Sequence, residues 1–300
     1  MSSALEALLD RARSGTHHVA LIGSADDRLS EIAGKLEQSG VGRVTAIGGD
    51  GLVPSADPRL GAVAGHLRDR WPERVRDGIH GLDLAADPLL FGAGLLLAGE
   101  ADVLLAGSGV PNDLVEDAFR WLLGPERERK GRGSMTYVLA GPDRLIATAT
   151  PDTAGPLDAA GVAQLALATA NHRRQAVGDT PRVGFLVAPP AQDASHADAE
   201  VALSEFKNIA PGIQASVEWA WAQGDGRAVG RFRAGPNILI FPDPVSGHLA
   251  HEFLRDAAAS RVIGPLFPGD RWAVVGLGAG SEADDIVAVA SVAAAGLRGA

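Results

Sequence analysis

The sequence predicts an α/β protein arranged as two α/β halves. Three observations support this prediction. Short apolar segments alternate with amphipathic ones along the 300 residues, a strand–helix–strand unit lies near the start, and a buried strand at residues 238–241 leads through a sharp turn into a helix. In open α/β sheets, ligands bind at turns of this last kind. The predicted fold therefore also indicates where a site should lie.

The composition is that of a folded globular protein, with 46% apolar and 21% charged residues. A net charge of −10 argues against a general nucleic-acid or membrane-surface binder, because both need a basic face. The absence of cysteine excludes disulfides and thiolate chemistry and fits a cytoplasmic protein. Residues 1–18 lack the apolar core of a signal peptide, and the longest apolar run, Leu89–Gly99, is about half of a membrane span. We therefore expect no membrane association.

The first half of the chain follows the pattern of a parallel sheet covered by helices. Strands are predicted over 18–23, 43–48 and 101–106, and helices over 4–13, 24–40, 59–75, 88–98 and 114–123. The strand–helix–strand order at its start requires a crossover, so the first two strands should be parallel. The charged, glycine-rich segment 125–133 then predicts an exposed connection between two domains.

The second half opens with two strands joined by Gly141-Pro142-Asp143, a turn sequence that suits a hairpin. Strands are predicted over 136–140, 144–150, 182–187, 214–221, 238–241 and 272–275, and helices over 157–175, 195–208, 249–259 and 281–297.

The turn after the 238–241 strand places Asp243, Gly247 and His248 where an open sheet binds ligands. Its continuation, His248-x-x-His251-Glu252, has a spacing that would also suit a metal, but the second and third of these residues equally fit a solvated helix surface. We predict no metal site, because no further ligand cluster is evident.

A second glycine-rich turn, Gly276-x-Gly278-x-Gly280-Ser281, lies between the last strand and the last helix. Glycines let backbone amides approach phosphate at the positive end of a helix. Three interpretations stay open: a structural turn, a cradle for an anion, and a dinucleotide site. The dinucleotide site is disfavoured, because about one helix remains before residue 300, whereas a Rossmann half needs a further strand and an acidic ribose ligand.

Several motifs in order make the chain resemble the phosphate acetyl/butyryltransferase family, whose members exchange acyl groups between coenzyme A and inorganic phosphate. The motifs are Asp87-Pro-Leu-Leu-Phe-Gly92, Gly99-Glu-Ala-Asp-Val-Leu-Leu-Ala-Gly107, Thr180-Pro-Arg-Val-Gly-Phe-Leu186, Asn237-Ile-Leu-Ile-Phe-Pro-Asp243, Ile263-Gly-Pro-Leu266 and Asp284-Asp-Ile-Val287.

This resemblance implies two α/β/α domains with parallel-rich sheets, a cleft between them, and a last helix that returns to the first domain. The domains would be residues 1–134 with 271–300, and residues 135–270. It further implies a homodimer, a small anionic ligand, CoA or an acyl-CoA as substrate, and no tightly bound cofactor. Asp285 matches the family's base-like aspartate, and Arg68 matches one of its arginines.

The resemblance also shows where the chain departs from the family. Gly278 and Ala279 stand at the positions of an active-site serine and arginine, and Asp117 stands near the position of another arginine. His248 replaces an asparagine, and Glu252 replaces a lysine. Losing one electrostatic contact to a charge that develops in the transition state costs about 3–4 kcal/mol of transition-state stabilisation.

Two functions are therefore expected from the sequence. The first is a divergent acyltransferase acting on a CoA- or phosphate-type ligand. The alternative is a catalytically inactive homologue that binds a ligand or a partner protein within an assembly.

Overall fold

The computed structural model describes residues 3–13, 16–23, 29–107, 109–127, 133–140, 144–151, 157–187, 194–219, 235–256, 261–269, 271–277 and 283–297. The chain forms two compact units. The N-terminal unit comprises Leu5–Glu128 and Gly264–Ala300, and the central unit comprises Met1–Ala4 and Arg129–Ile263.

The described residues form ten strands. They are β1 (His17–Ile22), β2 (Gly42–Ile47), β3 (Val103–Ala106), β4 (Gly133–Leu139), β5 (Leu145–Pro151), β6 (Arg182–Val187), β7 (Gln214–Trp219), β8 (Ile238–Ile240), β9 (Arg261–Pro268) and β10 (Ala273–Gly276).

The same residues form ten α-helices. They are α1 (Ser3–Ala12), α2 (Leu29–Gln38), α3 (Leu60–Arg70), α4 (Gly78–Ala85), α5 (Pro88–Ala98), α6 (Asn112–Arg127), α7 (Ala159–Ala176), α8 (Ala194–Ile209), α9 (Pro244–Asp256) and α10 (Ala283–Ala295).

The N-terminal unit has the strand order β2-β1-β3-β10-β9. All neighbours in it are parallel except β9, which pairs antiparallel with β10. Helices α2 and α10 contact each other and the strands β1, β2, β3 and β10, whereas α5 and α6 pack together on the other face. The predicted strand–helix–strand unit is confirmed, and so is the return of the last helix to this part of the fold.

Helix α5 is the most apolar helix of the N-terminal unit and runs through its core. Asp87 caps its first turn by accepting hydrogen bonds from the amides of Leu89 and Leu90, and Gly99 ends it in the left-handed conformation. No single helix in the described ranges is long and apolar enough to cross a membrane. Among the described helices, α4 and α5 together are long and apolar enough, but the chain bends by 101° between them. Most of α5 is buried.

The side chain of Arg74 lies between Trp71, at the end of α3, and Trp121 of α6, and so links the two helices. The guanidinium of Arg74 lies 3.9 Å from the ring centroid of Trp71 and 5.4 Å from that of Trp121, and the two indoles meet edge to face at 6.0 Å. Arg70 donates to the carbonyl oxygens of Leu122 and Leu123, just before the kink at Gly124. These contacts fix the end of α3 against α6.

The central unit has the strand order β4-β5-β8-β6-β7. Strands β4 and β5 are antiparallel, which confirms the predicted hairpin, and β5, β8, β6 and β7 are parallel. Helices α7 and α8 pack together, α7 against β5, β6 and β8 and α8 against β6 and β7, while α9 packs against β5. The α/β fold class with parallel-rich sheets is therefore confirmed.

An asparagine fixes the start of β8 beside β6. The Oδ1 atom of Asn237 accepts from the amide of Arg182, and its Nδ2 atom donates to Asp179 and to the carbonyl of Thr180. Asp179 is in turn bound by both Nε and an Nη of Arg173, which is buried. The first residue of the Asn237–Asp243 motif therefore has a structural role at the amino edge of the sheet.

Two predicted helices have other bounds in the structure because of proline. The expected helix 59–75 ends at Arg70 because Pro72 disfavours helical geometry at Trp71, and a short 3₁₀ turn, Pro72–Arg74, follows. Conversely, α9 begins at Pro244 rather than at residue 249, because Asp243 caps it and proline fits the first helical position.

Candidate functional site

The carboxyl edge of the central sheet is formed by the ends of β5 and β8. Ala149 of β5 is in register with Ile240 of β8, and the next residue, Phe241, donates its amide to the Ala149 carbonyl. Strand β8 lies between β5 and β6, although β6 precedes it in the chain. Open α/β sheets bind ligands at such a change of strand order.

The first turn of α9 starts at this edge. The Oδ1 atom of Asp243 accepts a hydrogen bond of 2.8 Å from the Ser246 amide, and its backbone carbonyl accepts one from the Ser246 hydroxyl. Gly247 and His248 thus lie within the first two turns of the helix that Asp243 precedes, so the predicted strand-to-helix turn is present. Asp243 acts here as the helix cap.

Glycine is required at position 247 by close contact with β5. A Cβ atom at Gly247 would lie 2.2 Å from the Oγ1 atom of Thr150. Thr150 is fully buried, and its hydroxyl has no hydrogen-bond partner in the described part of the chain. A buried hydroxyl of this kind is costly, and it faces the first turn of α9.

One turn further along α9, His251 packs against the same strand. Its Nε2 atom lies 2.7 Å from the Oγ1 atom of Thr148, and that hydroxyl donates to the Thr136 carbonyl. Because a hydroxyl has one proton, Thr148 must accept from His251, so Nε2 carries the hydrogen and Nδ1 is an acceptor. Burial lowers the pKa of His251 to about 4, which keeps this imidazole neutral near pH 7.

Helix α9 places the three residues considered for a metal site, His248, His251 and Glu252, in different environments. His251 is buried, whereas His248 and Glu252 are exposed and Glu252 pairs with Arg255. No group of three metal-ligating side chains occurs among the described residues. The alternative that His251 belongs to a solvated surface is wrong.

The second predicted turn begins at the carboxyl edge of the N-terminal sheet, at Gly276. Ile22, Ala106 and Gly276 end β1, β3 and β10 in register, and the next amides, at Gly107 and Leu277, donate to the carbonyls of Ile22 and Ala106. Strand order changes here as well, since β1 lies between β2 and β3. Gly276 therefore lies at the kind of sheet edge where open α/β folds commonly bind ligands.

Asp285 is the third residue of α10, the helix that follows this turn. Its side chain is half-buried and already interacts with a neighbouring group. The remaining residues predicted for this turn, Gly278, Gly280 and Ser281, lie outside the described residues. The structure thus places Gly276 and the helix that carries Asp285 next to each other.

Arg68 lies on α3, and the elements that α3 packs against differ from those that pack against the helix of Asp285. Its side chain is 57% exposed and lies 3.5 Å from Asp69. It lines a pocket of about 250 Å³ between α3 and α4, together with Gly61, Gly65, Gly78 and Gly81. Helix α3 packs on α4, α5 and α6, on the face of the sheet opposite to α10.

Asp117, which stands where an arginine was expected, has arginines as neighbours. Its carboxylate lies 3.0 Å from Arg74 and 3.6 Å from Arg120. Sequence reasoning missed both arginines, although Arg120 follows Asp117 by one helical turn.

The fold is that of the phosphotransacetylases. The EutD phosphotransacetylase from Staphylococcus aureus superposes with a TM-score of 0.75 over 98% of this chain and 99% of its own, at 18% identity. A phosphotransacetylase from Streptococcus pyogenes superposes with a TM-score of 0.79 over 98% and 97%, at 16% identity.

The sequence is similar, over nearly its full length, to a phosphate acetyltransferase from Acetivibrio thermocellus. The identity is 24%, and the match covers 97% of both chains. No protein-family model matches the chain.

Proposed function

We propose that this protein is a divergent acyltransferase of the phosphate acetyltransferase type, which moves an acyl or related group between a CoA thiol and a phosphate-type acceptor. The observation that carries the proposal is the similarity to a phosphate acetyltransferase over 97% of both chains. The placement of Gly276 and of the Asp243–His248 turn at carboxyl sheet edges supports it further.

The proposed reaction needs a group that exchanges a proton with the CoA thiol. A phosphate oxygen attacks the thioester carbonyl and forms the C–O bond of an acyl phosphate, the C–S bond breaks, and the proton of the hydrogen phosphate passes to the departing sulfur. In the reverse direction the same group removes that proton. We assign this role to Asp285, and we assign anion binding to the backbone amides of the Gly276–Ser281 turn at the start of α10.

The absence of cysteine makes the direct test unusually clean. Acyl-CoAs from acetyl to butyryl are incubated with phosphate, and the CoA thiol is followed with a thiol reagent. Because the protein has no thiol of its own, it adds no background to the thiol signal. The proposal expects thiol release that depends on phosphate. Absence of turnover with all these acyl-CoAs at millimolar phosphate would contradict it.

Replacing the proposed base provides a sharper test. Asp285→Asn should lower kcat by about 10²–10⁴-fold, the usual contribution of a positioned acid or base. Asp284→Asn is the matched control, because it removes the same charge one residue earlier in the same helix. Equal effects of the two substitutions would indicate that only the net charge of α10 matters.

The second candidate function is a catalytically inactive homologue that binds a ligand or a partner protein. The sequence resemblance favours it: Gly278 and Ala279 stand where the family is expected to have a serine and an arginine, and neither can bind phosphate through a charged side chain.

Ligand-dependent stability separates the two functions. CoA, acyl-CoAs and phosphate are each tested by thermal unfolding, and a ligand at 100 times its Kd should add about 2.7 kcal/mol. Stabilisation by CoA without thiol release supports the binding protein. Neither stabilisation nor turnover contradicts both proposals for CoA-type ligands.

A further inference from the structure

Strands β6 and β7 of the central sheet present polar side chains on the face opposite to α8. Phe185 of β6 meets Phe206 of α8 edge to face, with 5.9 Å between the ring centroids. Side chains alternate between the two faces along a strand, and residues in register on parallel strands share a face. The face opposite to α8 therefore carries Arg182, Gly184, Gln214, Ser216 and Glu218.

A pocket of about 130 Å³ lies on this face, between the two strands and the segment that leads into β8. It is smaller than the roughly 300–1,000 Å³ of pockets for drug-sized ligands, so it fits only a small molecule. Its polar and backbone lining consists of Arg182, Gln214, Ser216, Glu218, Gly235 and Pro236.

Gly184 keeps the centre of this face clear of side chains. A Cβ atom at this position would lie 2.7 Å from the Cγ atom of Glu218 and 2.8 Å from that of Pro236. Glycine therefore allows the side chain of Glu218 to lie across the neighbouring strand β6. The carboxylate is in this way held at the wall of the pocket.

The pocket has two opposite charges that do not pair with each other. The Nε atom of Arg182 donates to the Gly235 carbonyl at 3.0 Å, and the Ser216 hydroxyl donates to Oε1 of Glu218 at 2.6 Å. In the described part of the chain these are the only side-chain hydrogen bonds of either charged group. The two charged residues lie on strand positions four residues apart, roughly 13 Å along the sheet.

Both charged groups thus keep unused hydrogen-bonding capacity towards the same pocket. Arg182 retains the donors of its two Nη atoms, and Glu218 retains its Oε2 acceptor. A simple anion would be repelled by Glu218, and a metal cation would be repelled by Arg182. A molecule with a carboxylate at one end and an ammonium group at the other satisfies both residues.

We propose that this pocket binds a small zwitterion of the α-amino acid class, with its carboxylate on Arg182 and its ammonium group on Glu218. Arg182 and Gln214 begin their strands, so the pocket starts at the amino edge of the sheet, whereas Asp243 lies at the carboxyl edge. The inference does not rest on the proposed function, because it uses neither of the two turns assigned to the acyl-transfer ligand.

The first test is calorimetric titration of the full chain with three matched probes. Alanine has both charges, propionate lacks the ammonium group, and ethylamine lacks the carboxylate. Alanine should bind saturably and about ten- to a hundredfold more tightly than either single-charge probe, which is the usual contribution of one charged hydrogen bond. Absence of saturable binding of glycine, alanine and serine at tens of millimolar overturns the proposal, and so does equal affinity for alanine and propionate.

The second test removes each charge separately. Glu218→Gln keeps the shape and the oxygen that accepts from Ser216, so the affinity for alanine should fall to that for propionate, while propionate binding should not weaken. Arg182→Gln should lower the affinity for alanine to that for ethylamine. Alanine binding that is unchanged in both variants overturns the proposal.

The matched control is Glu205→Gln on α8. It removes the same charge from a half-buried glutamate of the helix that packs on the other face of β6 and β7. The Kd for alanine should stay unchanged, and thermal unfolding without ligand checks that each variant folds. Equal weakening by Glu205→Gln and Glu218→Gln would show an effect of net charge alone and would overturn the assignment of Glu218.

Discussion

Thr150 and Gly247 form the closest contact between β5 and α9, and this contact leads to a prediction about a single hydroxyl. Thr150 is buried without a hydrogen-bond partner in the described residues. Thr150→Val keeps the shape and removes the unsatisfied group, so the free energy of unfolding should rise by about 1 kcal/mol. Denaturant unfolding measures this change.

The matched control lies two residues earlier on the same strand. The Thr148 hydroxyl bonds both His251 and the Thr136 carbonyl, so Thr148→Val should destabilise the protein by about 1–3 kcal/mol. Loss of stability in Thr150→Val as well would mean that its hydroxyl is satisfied in solution.

Two buried histidines predict how stability depends on pH. Burial lowers the pKa of both His172 and His251 to about 4, below the value of about 6.5 in the unfolded chain. Between these values the unfolded state binds more protons, so stability falls as the pH drops from about 6.5 to about 4. Each histidine should contribute roughly 2 kcal/mol of loss between pH 7 and pH 5.

Equilibrium unfolding at the two pH values checks this prediction, and His251→Gln should remove about half of the loss. A stability that is flat from pH 7 to pH 5 would show that the imidazoles are protonated in the folded protein.

Residue types at the two turns were predictable from the sequence, but their partners were not. Asp243 and Gly247 could be placed at a strand-to-helix turn because the flanking apolar segments are clear. Nothing in the sequence pairs position 251 with Thr148, since 103 residues separate them. Burial of His251 comes from tertiary packing, which local pattern does not encode.

Helical glycines in the N-terminal unit give a prediction at the scale of elements. A Cβ at Gly61 of α3 meets nothing within 4 Å, whereas one at Gly94 of α5 would lie 2.4 Å from Val63. Gly61→Ala should stabilise the protein by about 0.5–1 kcal/mol through helix propensity. Gly94→Ala should destabilise it by about 1–3 kcal/mol, because α3 and α5 must move apart.

Thermal unfolding measures the change in stability of each variant. The difference between the two changes reports packing, because both variants replace a helical glycine by alanine. Equal shifts in both would argue that α5 is less tightly packed against α3 than the contact with Val63 indicates.

Elements with clear caps or periodicity were predictable, and those broken by proline or glycine were not. Helix α5 follows from Asp87-Pro88 and Gly99 at its ends. Strand β9 was missed because Gly264 and Pro265 interrupt it, and both residues disfavour strands. Helix α4 was missed because it is only eight residues long.

Net charge predicts how the whole molecule meets an anionic ligand. A net charge of −10 should repel the proposed anionic ligand CoA at long range, and salt screens this repulsion. The Kd for CoA should therefore decrease as salt rises from about 10 to 100 mM, over which the Debye length falls from about 30 to 10 Å. Calorimetric titration measures it. A Kd that increases instead would reveal a local basic cluster that dominates binding.

At the scale of the whole molecule the fold class could be predicted, because only a few folds accommodate this order of strands and helices. The chemistry could not. The glycine-rich turn offers backbone amides, which serve a structural turn and an anion site equally well. Substrate choice depends on side-chain positions around the ligand, and these do not follow from the order of the elements.

The cation between Trp71 and Trp121 has a consequence for spectroscopy. Two indoles at 6.0 Å and a steep angle couple their electronic transitions, and the nearby charge of Arg74 shifts them. The folded protein should thus show a near-ultraviolet circular dichroism signal specific to the docking of α3 on α6. Replacing Arg74 with methionine would alter this signal, which makes the trio an intrinsic optical reporter of the N-terminal unit.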